Sequence, residues 1–344
     1  MPRSMFSSFL LPPALLLAFL LTISPGSASE NPIPPEFGFA IEGLPTRFEL
    51  RTLVNDTGVQ PRLVLFYLQW PQKPEAEEFP GAALRAIESI GALPVLTWEP
   101  MFFDSEKGEQ MIPAELITTG KYDLYLEQFA RGCHQFGKLM LIRFGHEMNL
   151  ARYHWGGAPS EFGPDSPAGY RATYRYVVAK FRAQRADNVR WVFCPNADSV
   201  PAEQWNRIAA YYPGDDVVDV VGLDGYNWGT TQTKAANGWD SQWRTFESIF
   251  SSPLKELKQV APRKPVGVFE TSSAELGGNK EEWVMSALDS ARSLGLGALV
   301  WFQVNKEIDW RLQTHVSEAV RAAIQKQNAS IPAGPLWLGN TGRQ

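Results

Sequence analysis

Two carboxylates stand out because of what precedes them. Glu147 closes the stretch LMLIRFGHE (139 to 147) and Glu270 lies within PVGVFETSS (265 to 273), each behind a run of apolar residues. Two carboxyl groups that face one another across a cleft can divide labour, one protonated as general acid and the other ionised as nucleophile. That division cleaves a glycosidic bond with retention of configuration, and it requires a separation of about 5 to 5.5 Å. Near them in the pattern stand His146, a hydrogen-bonding partner, Tyr226, a phenol able to touch a carboxylate, and Trp301, a flat face for a sugar ring. A single Glu at a strand end is more often solvated or salt-bridged than catalytic. It is the joint placement that points to a site.

The elements that must position these residues are short apolar runs. FGFAIEG (37 to 43), LVLFYLQW (63 to 70), LPVLTWEP (93 to 100), LMLIRFGHE (139 to 147), VRWVFCPNA (189 to 197), VDVVGLDGYNW (218 to 228), PVGVFETSS (265 to 273) and GALVWFQVN (297 to 305) read as strands. Continuous apolar runs, rather than strict alternation, indicate strands buried on both faces, as in a parallel sheet covered by helices. Helical patterns lie between several of them. The segment 166 to 185 opens with Ser166 as N-cap and Pro167 in the first turn, and 280 to 295 ends on Gly295. Eight strand and helix alternations fit an α/β fold of the (β/α)8 TIM barrel type in a single domain. A doubly wound sheet is the alternative, but its first strand would more often lead into a glycine-rich phosphate turn, and no GxGxxG follows residue 37. In a barrel, Trp98 and Glu99, His146 and Glu147, Asn196, Asp224 and Tyr226, Glu270, and Trp301 and Gln303 all fall at the C-terminal ends of strands and so on one face.

Composition narrows the partners. With 44% hydrophobic and 20% charged residues among 344, the chain can bury a large core. The formal net charge of −5 and the absence of any long basic run exclude a nucleic-acid or anionic-lipid surface. Twelve Trp supply flat faces for sugar rings or simply core. Cys133 and Cys194 are the only cysteines, so no disulfide framework holds the fold; their placement suits two buried thiols, and one bridge stays open. The four His, at 134, 146, 154 and 315, form no HExxH, and with no CxxC the chain is expected to need neither metal nor cofactor.

At the N-terminus, Arg3 precedes the apolar stretch 9 to 23, and SPGSASE follows with small residues. This reads as a signal peptide over 1 to 29, with an uncleaved anchor as the alternative. The catalytic domain is then 30 to 327. The Gly/Pro-rich tail 328 to 344 is expected to be a loose or surface-docked extension. Asn55 and Asn328 stand in Asn-x-Ser/Thr sequons.

RFGHEMN (143 to 149) with YHWGG (153 to 157), VDVVGLDGYNW (218 to 228), GVFETSS (267 to 273) and WFQVNKEIDWR (301 to 311) together resemble glycoside hydrolase family 26. That family holds β-mannanases, mixed-linkage β-glucanases and β-1,3-xylanases. The resemblance spans about residues 37 to 325 and implies Glu147 as acid/base, Glu270 as nucleophile and His146 beside the acid/base. It also implies Tyr226 near the nucleophile and Trp301 as the floor of the subsite where the bond breaks. Trp98, Trp155, Asn196, Asp224 and Trp228 are further expected substrate contacts. The chain departs from the family where Asn149, Leu150, Ala151 and Arg152 replace the usual Asn-Gly-x-Trp, and where Tyr153, His154, Trp155 and Gly156 replace Phe-Trp-Trp-Gly. Arg152 thus stands where an indole is expected on the leaving-group side, which keeps mannan and mixed-linkage β-glucan level as substrates. The expectation is a monomeric, secreted or periplasmic retaining endo-β-glycanase acting on a polysaccharide or oligosaccharide. Its rivals are a carbohydrate-binding accessory protein with little turnover and a solute-binding protein, neither of which has a task for paired acids.

Overall fold

The computed structural model describes residues 33–75, 79–312, 317–332 and 334–339. The signal peptide expected at 1 to 29 and His315 lie outside them. All eight expected strands form: β1 (Glu36–Ala40), β2 (Leu63–Gln69), β3 (Leu93–Glu99), β6 (Met140–Phe144), β7 (Val189–Phe193), β8 (Val220–Asn227), β9 (Val266–Ser273) and β10 (Ala298–Phe302). They close into one parallel barrel in the order β1-β10-β9-β8-β7-β6-β3-β2. One hairpin was not foreseen, β4 (Met101–Asp104) with β5 (Gly108–Met111), an antiparallel pair standing over the end of β3. Its four-residue strands carry mixed polar and apolar residues and leave no long apolar run to detect.

Because side chains alternate across a strand, each barrel strand feeds two cores. Leu63, Leu65, Val95, Leu141, Val192, Val220, Phe269, Ala298 and Val300 fill the barrel interior. Phe37, Phe39, Val64, Phe66, Leu96, Ile142, Trp191, Val268 and Leu299 pack outward against the helices. Six of the Trp, at 70, 98, 155, 191, 283 and 301, belong to this outer layer. The interior is so full that a Cβ on Gly222 would come within 2.3 Å of the Phe269 ring.

Helix ends follow local chemistry. Thr46 caps the helix Arg47–Thr57 in a capping box with Glu49, and Asn279 caps Lys280–Ser293 by accepting from Glu281 and Glu282 backbone N–H groups. Gly295, at φ +69°, follows that helix as expected. The helix Ser166–Ala183 differs from expectation: Asp165 holds the cap position and Ser166 is its first residue, its hydroxyl accepting instead from the Gly163 N–H at 2.9 Å.

The described part of the tail is docked on the barrel, the surface-docked form of the expected extension, but it does not begin at 328. The helix Glu318–Ser330 runs through that boundary, and Asn328 is buried, bonding the backbone of Phe37 and Gln60. Its sequon is therefore closed in the folded protein, whereas Asn55 is exposed. Beyond it Leu338 joins the barrel's interior cluster, and the Trp337 indole packs at Gly297, beneath the start of β10. Cys133 and Cys194 are free and buried in different cores, one among the helices and one in the barrel, so no bridge joins them. No helix among the described residues is long and apolar enough to cross a membrane.

Candidate active site

β6 ends at Phe144, earlier than its apolar run suggested, and the chain turns sharply. Gly145 has φ +55° and Glu147 φ +51°. Glu147 is one of two non-glycine residues in the left-handed region among those described. An L-residue avoids this conformation, which is held here because the Glu147 N–H donates to Cys194 O at 2.9 Å and Leu150 N–H donates to Glu147 O at 3.0 Å. Asn149 ties the same turn to the end of β7, accepting from the Asn196 N–H at 2.8 Å and donating to Asn196 O at 2.9 Å. Asn196 then donates from Nδ2 to Glu147 Oε1 at 2.6 Å. Half-buried Asn196 thus holds the Glu147 carboxyl in place.

Glu270 is placed by an irregularity in β9. Leu223 pairs with Val268 but Asp224 pairs with Glu270, so β9 carries one extra residue there. The bulge lets Phe269 fill the barrel while Glu270 turns to the mouth. Tyr226 donates its hydroxyl to Glu270 Oε2, and Arg143 donates from Nη2 to Oε1. The two donors fix both carboxyl oxygens in place.

Arg143 is the residue that pattern reading underrated. Fully buried inside the mouth, it donates to Asp224 Oδ2, to Glu270 Oε1 and, from Nε and Nη2 at 2.9 and 2.7 Å, to Thr97 Oγ1. Burial alone would lower its pKa, but Asp224 and Glu270 raise it well above its ordinary value. The signal for it existed: Leu141 points into the barrel, and two residues on, Arg143 must share that face. Asp224 is wholly buried; burial raises its pKa, against the pull of Arg143, and it also accepts from the Cys194 thiol at 3.3 Å. It supports Arg143 and is out of reach of a sugar, contrary to expectation.

Glu147 and its neighbour His146 are both buried, with opposite consequences. Burial first, and the charge of Glu270 second, push the Glu147 pKa up to about 7. Against this, Asn196, Arg143 and Arg152 pull it down. His146 is buried between Tyr153, Trp155 and Tyr67, with ring centroids 4.8, 5.8 and 6.3 Å away. Burial, then Arg143, holds its pKa well below the usual imidazole range, so it stands neutral with Nδ1 unpartnered. His146, Asp224 and Glu270 bring donor atoms within 4.8 Å of one another, the spacing of a cation site. The donor set does not suit a metal, because the Arg143 guanidinium already bridges the two carboxylates.

The expected aromatic contacts divide. Trp98 and Trp301 point outward into the helical layer and are corrected to core residues. Trp98 stacks on Phe129 at 4.4 Å and donates to Tyr125 Oη, while Trp301 packs on Trp283 and donates to Trp310 O. Each stands at an odd offset from the inward positions of its strand, Trp98 one residue past Thr97 and Trp301 between Val300 and Phe302, so neither floors the cleft. Trp155 is also buried; it donates to His146 O and backs Tyr153, whose ring stacks on it at 5.1 Å and 14°. Tyr226 and Trp228 remain half-buried at the mouth, beside Trp310 at 5.1 and 4.8 Å. Trp239, 46% exposed, meets Trp228 edge-on at 5.9 Å. Arg152 lies over the Tyr153 ring and pairs with Glu109 of the hairpin at 3.3 Å, which links the unforeseen β4–β5 pair to the rim of the site.

Comparison with known proteins adds three findings. Residues 125–261 match the family model described as Glycosyl hydrolase family 26. The chain is 35% identical over 257 residues, 73% of its length, to Endoglucanase H of Acetivibrio thermocellus, and spans 26% of that protein. It is 29% identical over 107 residues, 30% of its length, to Mannan endo-1,4-beta-mannosidase A and B of Caldalkalibacillus mannanilyticus, spanning 20% of it. The chain therefore covers about a quarter of one curated relative and a fifth of the other. Its fold matches the catalytic domain of an endo-beta-1,4-mannanase from Bacillus sp. JAMB-750, with TM-score 0.61, 18% identity and coverage of 89% and 90% of the two chains. It likewise matches a domain of an endo-beta-mannanase/endo-beta-glucanase from Prevotella bryantii, with TM-score 0.58, 17% identity and coverage of 85% and 92%.

Proposed function

The chain belongs to glycosyl hydrolase family 26, and from that premise we propose that it is an exported endo-β-glycanase that cleaves with retention, Glu147 serving as acid/base and Glu270 as nucleophile. The observation that carries the reading is the contrast between the two carboxyls. Glu270 accepts from Arg143 and Tyr226, while among the described residues Asn196 is the one side chain that donates to buried Glu147, whose pKa is pushed up to about 7. Two carboxyls whose surroundings differ in this way suit one nucleophile and one proton donor. In the first step Glu270 attacks the anomeric carbon as Glu147 protonates the leaving oxygen. Once Glu270 is esterified its charge is gone, and Glu147 loses one of the influences that held its proton. It then serves as base for the incoming water.

Among substrates, the longer and closer match to Endoglucanase H favours a β-glucan, and the shorter match to a mannosidase keeps β-mannan as the second choice. Export rests on the apolar stretch 9 to 23 with its small-residue exit. The test is release of reducing ends from lichenan-type mixed-linkage β-glucan, cellulose derivatives and β-mannan, with the anomer formed first followed by NMR. Retention on one of these glycans supports the reading. Inversion, or no hydrolysis of any, overturns it.

A further inference from the structure

Glu147 holds a backbone conformation that L-residues avoid, and such a turn persists only where its surroundings over-determine it. Its entry is fixed at Phe144, whose carbonyl accepts from the Tyr170 hydroxyl at 3.2 Å. Its exit is fixed at Asn149 by donors from the loop that follows β7. Asn149 O accepts from the Val200 N–H at 3.0 Å and from Asn206 Nδ2 at 2.9 Å. Asn206 is wholly buried. Its Nδ2 also donates to Pro201 O at 2.8 Å, and its Oδ1 accepts from the Tyr211 hydroxyl at 2.7 Å. Two carbonyls on one side and a hydroxyl on the other allow this amide a single orientation. Tyr211 in turn packs edge-on against Tyr170 at 5.9 Å, so the clamps at the two ends of the turn share one support.

We propose that Asn206 is a positioning residue for the general acid: through the Asn149 carbonyl it holds the turn that aims the Glu147 carboxyl. The inference rests on the glycosidase reading above. The path is short, because Asn149 O and the Leu150 N–H belong to one rigid peptide plane. The donors that hold the oxygen therefore also aim the N–H at Glu147 O, which it meets at 3.0 Å. Without Asn206 that plane is free to tilt, the bond to Glu147 O weakens, and Glu147 loses part of what keeps it at positive φ. A general acid works only within hydrogen-bond reach of the leaving oxygen. Glu270 shares none of these bonds, since it is held on β9 by Arg143 and Tyr226. Loosening the turn should thus impair proton delivery and spare the nucleophile.

The test uses the full chain, with Asn206→Leu and with Tyr211→Phe, which removes only the hydroxyl that bonds the amide. Each is assayed on phenyl and 2,4-dinitrophenyl β-cellobioside and β-mannobioside, pairs that share a glycone and differ in how far the leaving group needs a proton. For whichever glycone the wild type cleaves, kcat/KM on the phenyl glycoside is expected to fall about 30-fold in Asn206→Leu and about 3-fold in Tyr211→Phe, with less than about 2-fold lost on the dinitrophenyl glycoside. In a Glu147→Ala background neither substitution should lower the rate further. Backbone amide exchange at Leu150 reads the turn without substrate, and in Asn206→Leu it should quicken by about 10-fold or more. Equal losses on the two leaving groups, additivity with Glu147→Ala, or unaltered exchange at Leu150 overturns the proposal and leaves the two-carboxylate reading intact. If Asn206→Leu does not fold, Tyr211→Phe decides by the same split between leaving groups. A wild type that cleaves neither these glycosides nor any of the polysaccharides overturns the glycosidase reading, and the role of Asn206 with it.

Discussion

Each end of the barrel holds a buried carboxylate served by an arginine and an aromatic donor, and the two behave as different devices. At the N-terminal end Glu36 meets Arg62 at 3.5 Å and accepts from the Trp337 indole at 3.2 Å. At the C-terminal end Glu270 accepts from Arg143 and Tyr226. Exposure does not separate them, at 3% for Glu36 and 4% for Glu270. What separates them is what stands opposite. Glu36 is covered by the chain's own C-terminal segment, with Leu338 entering the interior cluster beside it. Glu270 shares its open mouth with Glu147, whose pKa is pushed up to about 7 and which sits on a turn held in a backbone conformation that L-residues avoid. A satisfied carboxylate is a clasp when the protein caps it. On the proposed reading it is a reagent when a second carboxyl shares its cleft.

Four experiments would break or sharpen that contrast. The largest effect is expected for Glu270→Ala, with kcat on β-glucan falling by at least about 10⁴-fold while the melting temperature stays within a few degrees. Azide should restore turnover and give the inverted product. Glu36→Ala should do the reverse, lowering the melting temperature with kcat retained, and a Glu36 variant as inactive as Glu270→Ala would erase the distinction between the ends.

Arg143→Met should cost both activity and stability, since it strands Asp224 and Glu270 as unpaired buried carboxylates. A loss of about 3–5 kcal/mol in denaturant unfolding is the scale for breaking a buried pair. If stability falls by less than about 1 kcal/mol, the Arg143 fork is not holding the mouth together.

Trp337→Ala opens the bottom of the barrel and removes the donor to Glu36. We expect a destabilisation of about 2 kcal/mol, less than for a fully buried Trp, with kcat and KM unchanged. A change in KM would mean that the two ends are coupled.

The effect confined to part of the pH range concerns Glu147. Burial pushes the Glu147 pKa up to about 7 from the ordinary glutamate value of 4.5, so between these values the folded state holds more protons than the unfolded chain. Stability from this group is therefore fully present at low pH and is lost as pH rises through about 7. Glu147→Gln should raise stability at pH 8 by on the order of 1–3 kcal/mol and leave it nearly unchanged at pH 4, as judged by urea midpoints. The same titration should set the alkaline limb of kcat/KM for wild type. In Glu147→Ala, measured on an activated aryl glycoside, that limb should disappear. An unchanged limb would assign the proton donor elsewhere.

The sequence by itself determined the strands, their number and the carboxylates at two of their ends, because apolar runs of five to eight residues punctuated by turns have few other ways to be buried. It determined less about which way a side chain faces. In a parallel barrel both faces of a strand are apolar, so alternation in hydropathy, the usual guide to inside and outside, is missing. Trp98 and Trp301 therefore look like cleft residues in the chain and are core residues in the fold, while Arg143, Tyr67 and Glu99 share the inward positions. The bulge at Phe269, which sets Glu270 opposite Asp224, has no mark in composition. The positive φ of Glu147 falls on a residue type that does not advertise it. The hairpin that brings Glu109 to Arg152 is too short and too polar to read. Sequence placed the acids at strand ends because burial pattern is local. Tertiary structure alone decided what each acid faces, because register, bulges and closure of the barrel are properties of strands taken together.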